Sequence, residues 1–180
     1  MKAITYSSYG SPDNLKLKEV EKPTPKDDEV LIKVKAVSIN SWDNDLVLGK
    51  PLLSRLGGLF SPQYTILGID VAGKIEKVGK KVKDLLPGDA VFGDLSGCDF
   101  GGFAEYVCGK ASILAKKHKK MSFEEAAALP HAGVLALQAL YKHGTPKKDQ
   151  EILIIGAGGG AGTIGLQIAK SLQCHVTCVD

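Results

Sequence analysis

Residues 157–163 read Ala157-Gly158-Gly159-Gly160-Ala161-Gly162-Thr163. An apolar run, Ile152-Leu153-Ile154-Ile155, enters this stretch, and a helical pattern, Thr163 to Leu172, leaves it. A second strand-like segment, His175 to Asp180, follows. A strand, a glycine-rich turn, a helix and a second strand in that order can hold a diphosphate. Glycine allows the sharp bend, the lack of side chains lets an anion reach the backbone, and the helix amides and dipole face its charge. The best register is Ala157-x-Gly159-x-x-Gly162, with Ala157 in the first glycine slot and Gly162 set for close helix packing. Asp180, at the second strand's end, could accept hydrogen bonds from an adenosine ribose, which favours NADH over a 2′-phosphate. The alternatives are a turn that binds nothing and an acid that caps a solvated strand end.

Two regions of different texture carry this turn. Residues 1–121 read as short strands broken by Gly, Pro and Asp: Met1 to Tyr6, Glu29 to Val37, Val71 to Gly79, Ala90 to Gly93 and Phe103 to Val107. Their period-two alternation and close turns predict a barrel or sandwich. A short helical turn is expected from Ser41 to about Gly49. Residues 122–180 begin with Ser122-Phe123-Glu124-Glu125, a capping-box pattern. An apolar helical stretch then runs to Tyr141, and Pro130 splits it into two helices or kinks it.

Composition narrows the function classes. The 180 residues are 44% hydrophobic and 24% charged, a balance suited to a packed core. The net charge is +3 and Arg55 is the only arginine, which argues against nucleic-acid reading, where bidentate arginine contacts recur. The Lys116-Lys117-His118-Lys119-Lys120 cluster could meet an anion or be a solvated turn. No apolar run approaches the roughly 18 residues of a membrane span, and no signal peptide is expected. Cys98, Cys108, Cys174 and Cys178 contain no C-x-x-C pair, so reduced thiols in a cytoplasmic protein fit best.

With these motifs placed, the chain resembles the first part of a medium-chain dehydrogenase/reductase, in the zinc-independent quinone oxidoreductase branch. The landmarks are Val37-Ser38-Ile39-Asn40-Ser41-Trp42-Asp43, Leu67-Gly68-Ile69-Asp70-Val71-Ala72-Gly73 and Pro87-Gly88-Asp89-Ala90-Val91-Phe92-Gly93. Gly101 to Val107, Glu124 to Pro130 and the glycine turn continue the series. The resemblance implies a GroES-like, partly open β-barrel followed by the start of a Rossmann doubly wound parallel sheet, with substrate in the cleft between the domains. It implies hydride transfer from NADPH or NADH to a quinone or α,β-unsaturated carbonyl. Zinc-dependent relatives place Cys where Asn40 stands and Gly-His-Glu where Gly68-Ile69-Asp70 stands, so no zinc is expected.

For the site, the resemblance points to Asn40, whose amide could bond the cofactor or a substrate oxygen, or instead cap a strand end. Trp42 could wall an acceptor pocket or fill a core, and Tyr64 could donate a proton or be an ordinary half-buried tyrosine. Asp43 could position the Asn40 loop or cap a helical turn. Cofactor contacts are expected from Asn40, Pro130, His131, Ala157 to Thr163 and Asp180. Many relatives carry a Thr where Leu135 stands, and His131 could compensate. The alternatives are a catalytically retired relative that binds nucleotide or a partner, and an enoyl-thioester reductase-like module. One βαβ unit cannot cradle a whole dinucleotide, so the sequence is expected to be part of an enzyme of about 300–350 residues. That enzyme is expected to be a homodimer. Taken by itself, the fragment is expected to be inactive and to expose an apolar sheet edge between residues 152 and 179.

Overall fold

The computed structural model describes residues 1–55, 58–142 and 144–180. The chain divides into two compact units, Met1–Ala128 and Leu129–Asp180.

The first unit is built on alternation. Strand β1 (Lys2–Thr5) pairs antiparallel with β2 (Lys16–Glu19). Strand β3 (Glu29–Val37) is followed by helix α1 (Ser41–Leu48), and then come β4 (Asp70–Val78), β5 (Ala90–Asp94), β6 (Tyr106–Lys110) and β7 (Leu114–Lys116). The last five strands form one antiparallel sheet in the order β6-β3-β4-β5-β7. Its edge strands β6 and β7 do not pair with each other among the described residues, so the GroES-like barrel is partly open. Register shifts between Leu31 and Ile32 and between Val34 and Ala36 mark where β3 bends against β4. Inward residues Val30, Ile32, Val71, Ile75, Val91 and Val107 make the main core, while Lys33 and Lys35 point to solvent. The second half of β3 thus alternates as a half-buried strand does, while Glu29 to Ile32 are buried on both faces.

Helix α2 (Phe123–Ala127) opens with the expected capping box. Ser122 Oγ accepts from Glu125 N at 3.0 Å, and Glu125 Oε2 accepts from Ser122 N at 2.8 Å. Its Ala126 and Ala127 pack on Ala72 of β4. Residues 122–128, placed with the second region from the sequence, therefore belong to the first unit. Small alanines seat the helix flat on the sheet, and the unit boundary falls after Ala128 rather than after Met121.

In the second unit Pro130 starts a separate helix, α3 (Pro130–Tyr141), with the proline in its first turn, where no amide donor is needed. Strand β8 (Glu151–Ile155), helix α4 (Gly160–Ser171) and strand β9 (His175–Val179) follow, and β8 and β9 pair in parallel. This is the start of a Rossmann-like sheet. Ile154 faces Gly165 of α4. Leu153, Ile155 and Val179 lie on the opposite face and are 60%, 77% and 48% exposed. The exposed apolar surface is thus a face of the sheet as well as an edge.

Four elements differ from the sequence expectation. The strand expected at Phe103 to Val107 lies at Tyr106–Lys110, because Phe103 instead gives its amide to Leu67 O and its carbonyl to Ile4 N. Strands β2 and β7 lacked a signal, β2 being fully exposed and β7 three residues long. Helix α4 starts at Gly160, ahead of the expected Thr163, since packing overrides the weak helix propensity of glycine. No helix among the described residues is long and apolar enough to cross a membrane. Ser122→Ala removes one half of the capping box and is expected to cost about 1 kcal/mol in urea unfolding.

Candidate functional site

Strand β3 leaves the sheet through Ser38, Ile39 and Asn40, where helix α1 begins. A polar cluster forms here with the start of β4. Asn40 Nδ2 donates to Ser38 Oγ at 3.2 Å and to Asp70 Oδ2 at 3.3 Å. Ser38 Oγ donates to the same carboxylate oxygen at 3.3 Å. Asp43 does both tasks considered for it. Its Oδ2 accepts from Asn40 N at 2.9 Å, capping α1, and its Oδ1 accepts from Gly68 N at 3.0 Å, crossing to the segment before β4. Asp43 and Asp70 are 2% and 1% exposed. Two carboxylates at this depth hold their place through hydrogen bonds from the groups around them.

Beside this cluster the first unit contains a cavity of about 720 Å³. Trp42 and Tyr64 both line it, together with Tyr6, Tyr9 and Phe100. Phe100 joins the two predicted residues. It meets Trp42 edge-to-face at 6.1 Å and Tyr64 at 5.1 Å, favourable arrangements for aromatic pairs. Arg55 fixes one wall, lying over the Tyr9 ring at 4.7 Å and donating from Nε to Gly49 O at 2.9 Å. The structure therefore brings Trp42 and Tyr64 onto one cavity, and Asn40 is not on its wall. Asn40 belongs to the neighbouring polar cluster. Burial, aided by Tyr9 and the Asp43 carboxylate, pushes the Tyr6 hydroxyl up to about 12. On the sheet's far strand, burial and Glu29 push the Cys108 thiol up to about 11.

Phe100 carries no signal in residue type or spacing and follows Asp99 at the end of an irregular turn. Tyr6 shows in the sequence only as the end of a strand-like run. Asp70 did carry a signal, an acid within the apolar run Leu67 to Val71, where burial needs a partner.

In the second unit the glycine turn enters α4 as expected. The left-handed residue is Gly156, at φ +77°, so the bend is made one position ahead of the slot assigned to Ala157. Ala157 keeps ordinary backbone geometry and is buried. Gly162 is the close-packing glycine, since a Cβ there would lie 2.2 Å from Gly156 O. At Gly159 and Gly160 the nearest atoms to an added Cβ are 3.4 Å away. The helix's first amides have no partner within the helix. Asp180 Oδ1 accepts from Gly158 N at 3.1 Å, tying the second strand's end to the turn. Thr163 Oγ1 donates to Gly160 O at 2.9 Å. Pro130 is buried and His131 half-buried at the start of α3. Leu135, in the same helix, is 46% exposed. The turn's residues, Pro130 and His131 thus all lie in the second unit, and Asn40 lies in the first.

Residues 26–119 match the family model of the alcohol dehydrogenase GroES-like domain, more than half of the chain. The chain belongs to this family. It is a member of the medium-chain dehydrogenase/reductase superfamily, in the quinone oxidoreductase-like branch. The GroES-like chain is 42% identical over 177 residues to the 2-methylene-furan-3-one reductase of Solanum lycopersicum, covering 94% of this chain and 44% of that protein. It is 38% identical over 177 residues to the NADPH-dependent alkenal/one oxidoreductase, chloroplastic, of Arabidopsis thaliana, covering 94% and 44%. Among solved structures, the quinone oxidoreductase from Coxiella burnetii superposes with a TM-score of 0.87 at 34% identity, covering 99% of this chain and 56% of that one. The chain spans about half the length of these relatives.

Asp43→Ala leaves two amides without their acceptor and is expected to cost about 3–5 kcal/mol in urea unfolding. A second expectation concerns alkaline pH. The folded pKa of Tyr6, about 12, lies above its unfolded value of 10.0. Its contribution is fully present below pH 10 and is lost as pH rises toward 12, because the unfolded chain ionises first. Tyr6→Phe should remove up to about 2–3 kcal/mol of the stability loss seen between pH 9 and pH 12.

Proposed function

We propose that the whole protein carrying this chain transfers hydride from a reduced nicotinamide dinucleotide to a quinone or an α,β-unsaturated ketone or aldehyde. The observation that carries this reading is the pairing of two features in one chain. One is a glycine turn left open at Gly159 and Gly160, and the other is a ring-lined cavity beside a buried polar cluster. The names of relatives as reductases of quinones and alkenal/ones support it. The dinucleotide supplies the hydride when bound. Gly159, Gly160 and the first amides of α4 would fit its diphosphate, because the absence of side chains leaves the backbone amides accessible there. Pro130, His131, Ala157, Gly158, Ala161, Gly162, Thr163 and Asp180 complete that proposed contact set.

In the first unit, Asp43 anchors the Asn40 backbone and Asp70 and Ser38 accept from its side-chain Nδ2, which would leave Asn40 Oδ1 to accept a hydrogen bond from an N–H or O–H of the cofactor. Trp42 and Tyr64 would wall the acceptor, and Tyr64 is the hydroxyl proposed to face the oxygen that gains charge. NADPH is the proposed form, as in the name of the Arabidopsis relative. The Asp180 carboxylate is already engaged by Gly158 N, so part of its charge is compensated within the turn.

Zinc-free chemistry is proposed on two grounds. Ile69, where zinc relatives carry histidine, is fully buried in the apolar cluster of Tyr6, Leu46, Leu67 and Phe100. Asn40 already spends its donors on Ser38 and Asp70, and neither side chain is a zinc ligand. The free cysteines fit a reducing compartment such as the cytoplasm.

The test is loss of NADPH absorbance with a panel of quinones and enones, in the whole protein, before and after chelation. Turnover that survives chelation is expected, with NADH slower. Gly159→Ala should keep the fold and weaken NADPH binding by about tenfold or more, because the added methyl stands where the diphosphate must approach. No oxidation with any acceptor would overturn the reading.

A further inference from the structure

Five aromatic rings, those of Tyr6, Tyr9, Trp42, Tyr64 and Phe100, line the cavity of the first unit. Neighbouring rings meet edge-to-face, Tyr6 and Tyr9 at 66°, Trp42 and Phe100 at 78°, and Tyr64 and Phe100 at 81°. Rings set near right angles make the corners of a box, whereas stacked rings cover one another's faces. An aromatic face is the negative side of the ring quadrupole and attracts a cation. One ring of the wall already does so, since the Arg55 guanidinium lies over Tyr9 at 4.7 Å.

Asp45 is the one charged residue on the wall among the described residues. It is half-buried, and its carboxylate has no ion-pair or hydrogen-bond partner among the described residues. Its backbone carbonyl, by contrast, accepts from Ser54 Oγ at 3.1 Å and from Lys50 N at 3.1 Å. Arg55 does not answer the acid either, because its Nε donates to Gly49 O at 2.9 Å. Asp43, two residues earlier, shows the usual outcome for an acid in this unit, with both oxygens accepting from amides. A carboxylate at the edge of a ring-lined space gains more from an arriving cation than one in open water does. A quinone or enone would use the rings and leave this acid unanswered. A primary ammonium is strongly hydrated and is costly to bring among rings. An alkylated ammonium spreads its charge over methyl groups, which rest against ring faces.

We propose that this cavity is a binding site for an alkylated ammonium cation, with the rings as its cage and Asp45 as its counter-charge. This goes beyond the function proposed above. The ammonium is a further class of ligand, and it competes with an uncharged acceptor for the same rings.

The test is calorimetric titration of the whole protein carrying this chain, without nucleotide or acceptor, with choline chloride. Its neutral counterpart is 3,3-dimethylbutan-1-ol, in which carbon replaces the nitrogen and the charge is gone. Sodium chloride at the same ionic strength is the blank. Saturable binding of choline is expected, with the alcohol weaker by about tenfold or more. Asp45→Asn keeps the side chain's shape without its charge, and should weaken choline by about tenfold while leaving the alcohol unchanged. Trp42→Leu should weaken choline by a similar factor of about tenfold, which an acid acting without a cage would not give. Circular dichroism checks that each variant folds. The comparison of choline with the alcohol needs no variant, so it decides the matter even where one fails to fold. An absence of saturable binding by choline overturns the proposal. So does an alcohol that binds as tightly, or a folded Asp45→Asn or Trp42→Leu variant that binds choline within twofold of the unaltered protein. Neither nucleotide nor acceptor enters the measurement. Binding of choline in a protein without NADPH turnover therefore removes only the proposed function, and turnover without choline binding removes only the ammonium site.

Discussion

The carboxylate of Asp43 joins parts of the first unit that the chain itself keeps far apart. One oxygen caps the helix that leaves β3, and the other holds the Gly68 amide ahead of β4. Neither amide has a strand neighbour to pair with at that point, because β3 has just left the sheet and β4 has not yet entered it. Without an acceptor there, a helix start and a strand approach would each bury an unsatisfied donor. With it, the Asn40 loop and the segment leading into β4 share one anchor. The Asn40 amide and the Trp42 ring are two residues apart on that anchored turn, which is why a polar cluster and an apolar cavity lie side by side.

Much of this architecture was legible in the sequence, and for identifiable reasons. The β3 and β8 strands have the bounds their patterns predict, since alternation from Ile32 to Val37 in one and an unbroken apolar run in the other leave little choice. The Ser122–Glu125 box and the Pro130 break are local chemistry and emerge as written. What escaped depends on distant partners. Phe103 pairs with Leu67 and Ile4, and β2 is an exposed ribbon whose only reason to exist is β1. The candidate site divides in the same way. Asn40, Trp42, Tyr64 and the glycine turn carry visible signatures of residue type and spacing. Phe100 has none, because its role comes from a left-handed backbone that no adjacent residue announces.

The glycine turn shows two uses of the same residue. Gly156 and Gly162 serve the fold, one by its φ and the other by contact with the backbone of the turn. Gly159 and Gly160 meet nothing closer than 3.4 Å, so the fold alone gives little reason for them. Their place next to a helix start is what makes them the proposed contact for a diphosphate. The Ala157 substitution in the motif is explained by the same division, since the bend has already been made upstream.

The Cys108 thiol, held near 11 by burial and by Glu29, has a bearing on the proposed substrates. Quinones and enones are soft electrophiles, and the thiolate is the form of cysteine that attacks them. At neutral pH only about one Cys108 side chain in ten thousand would be ionised. The β6 strand thus carries a sulfur that is chemically quiet toward the class of compounds proposed as acceptors, a form of built-in resistance to alkylation.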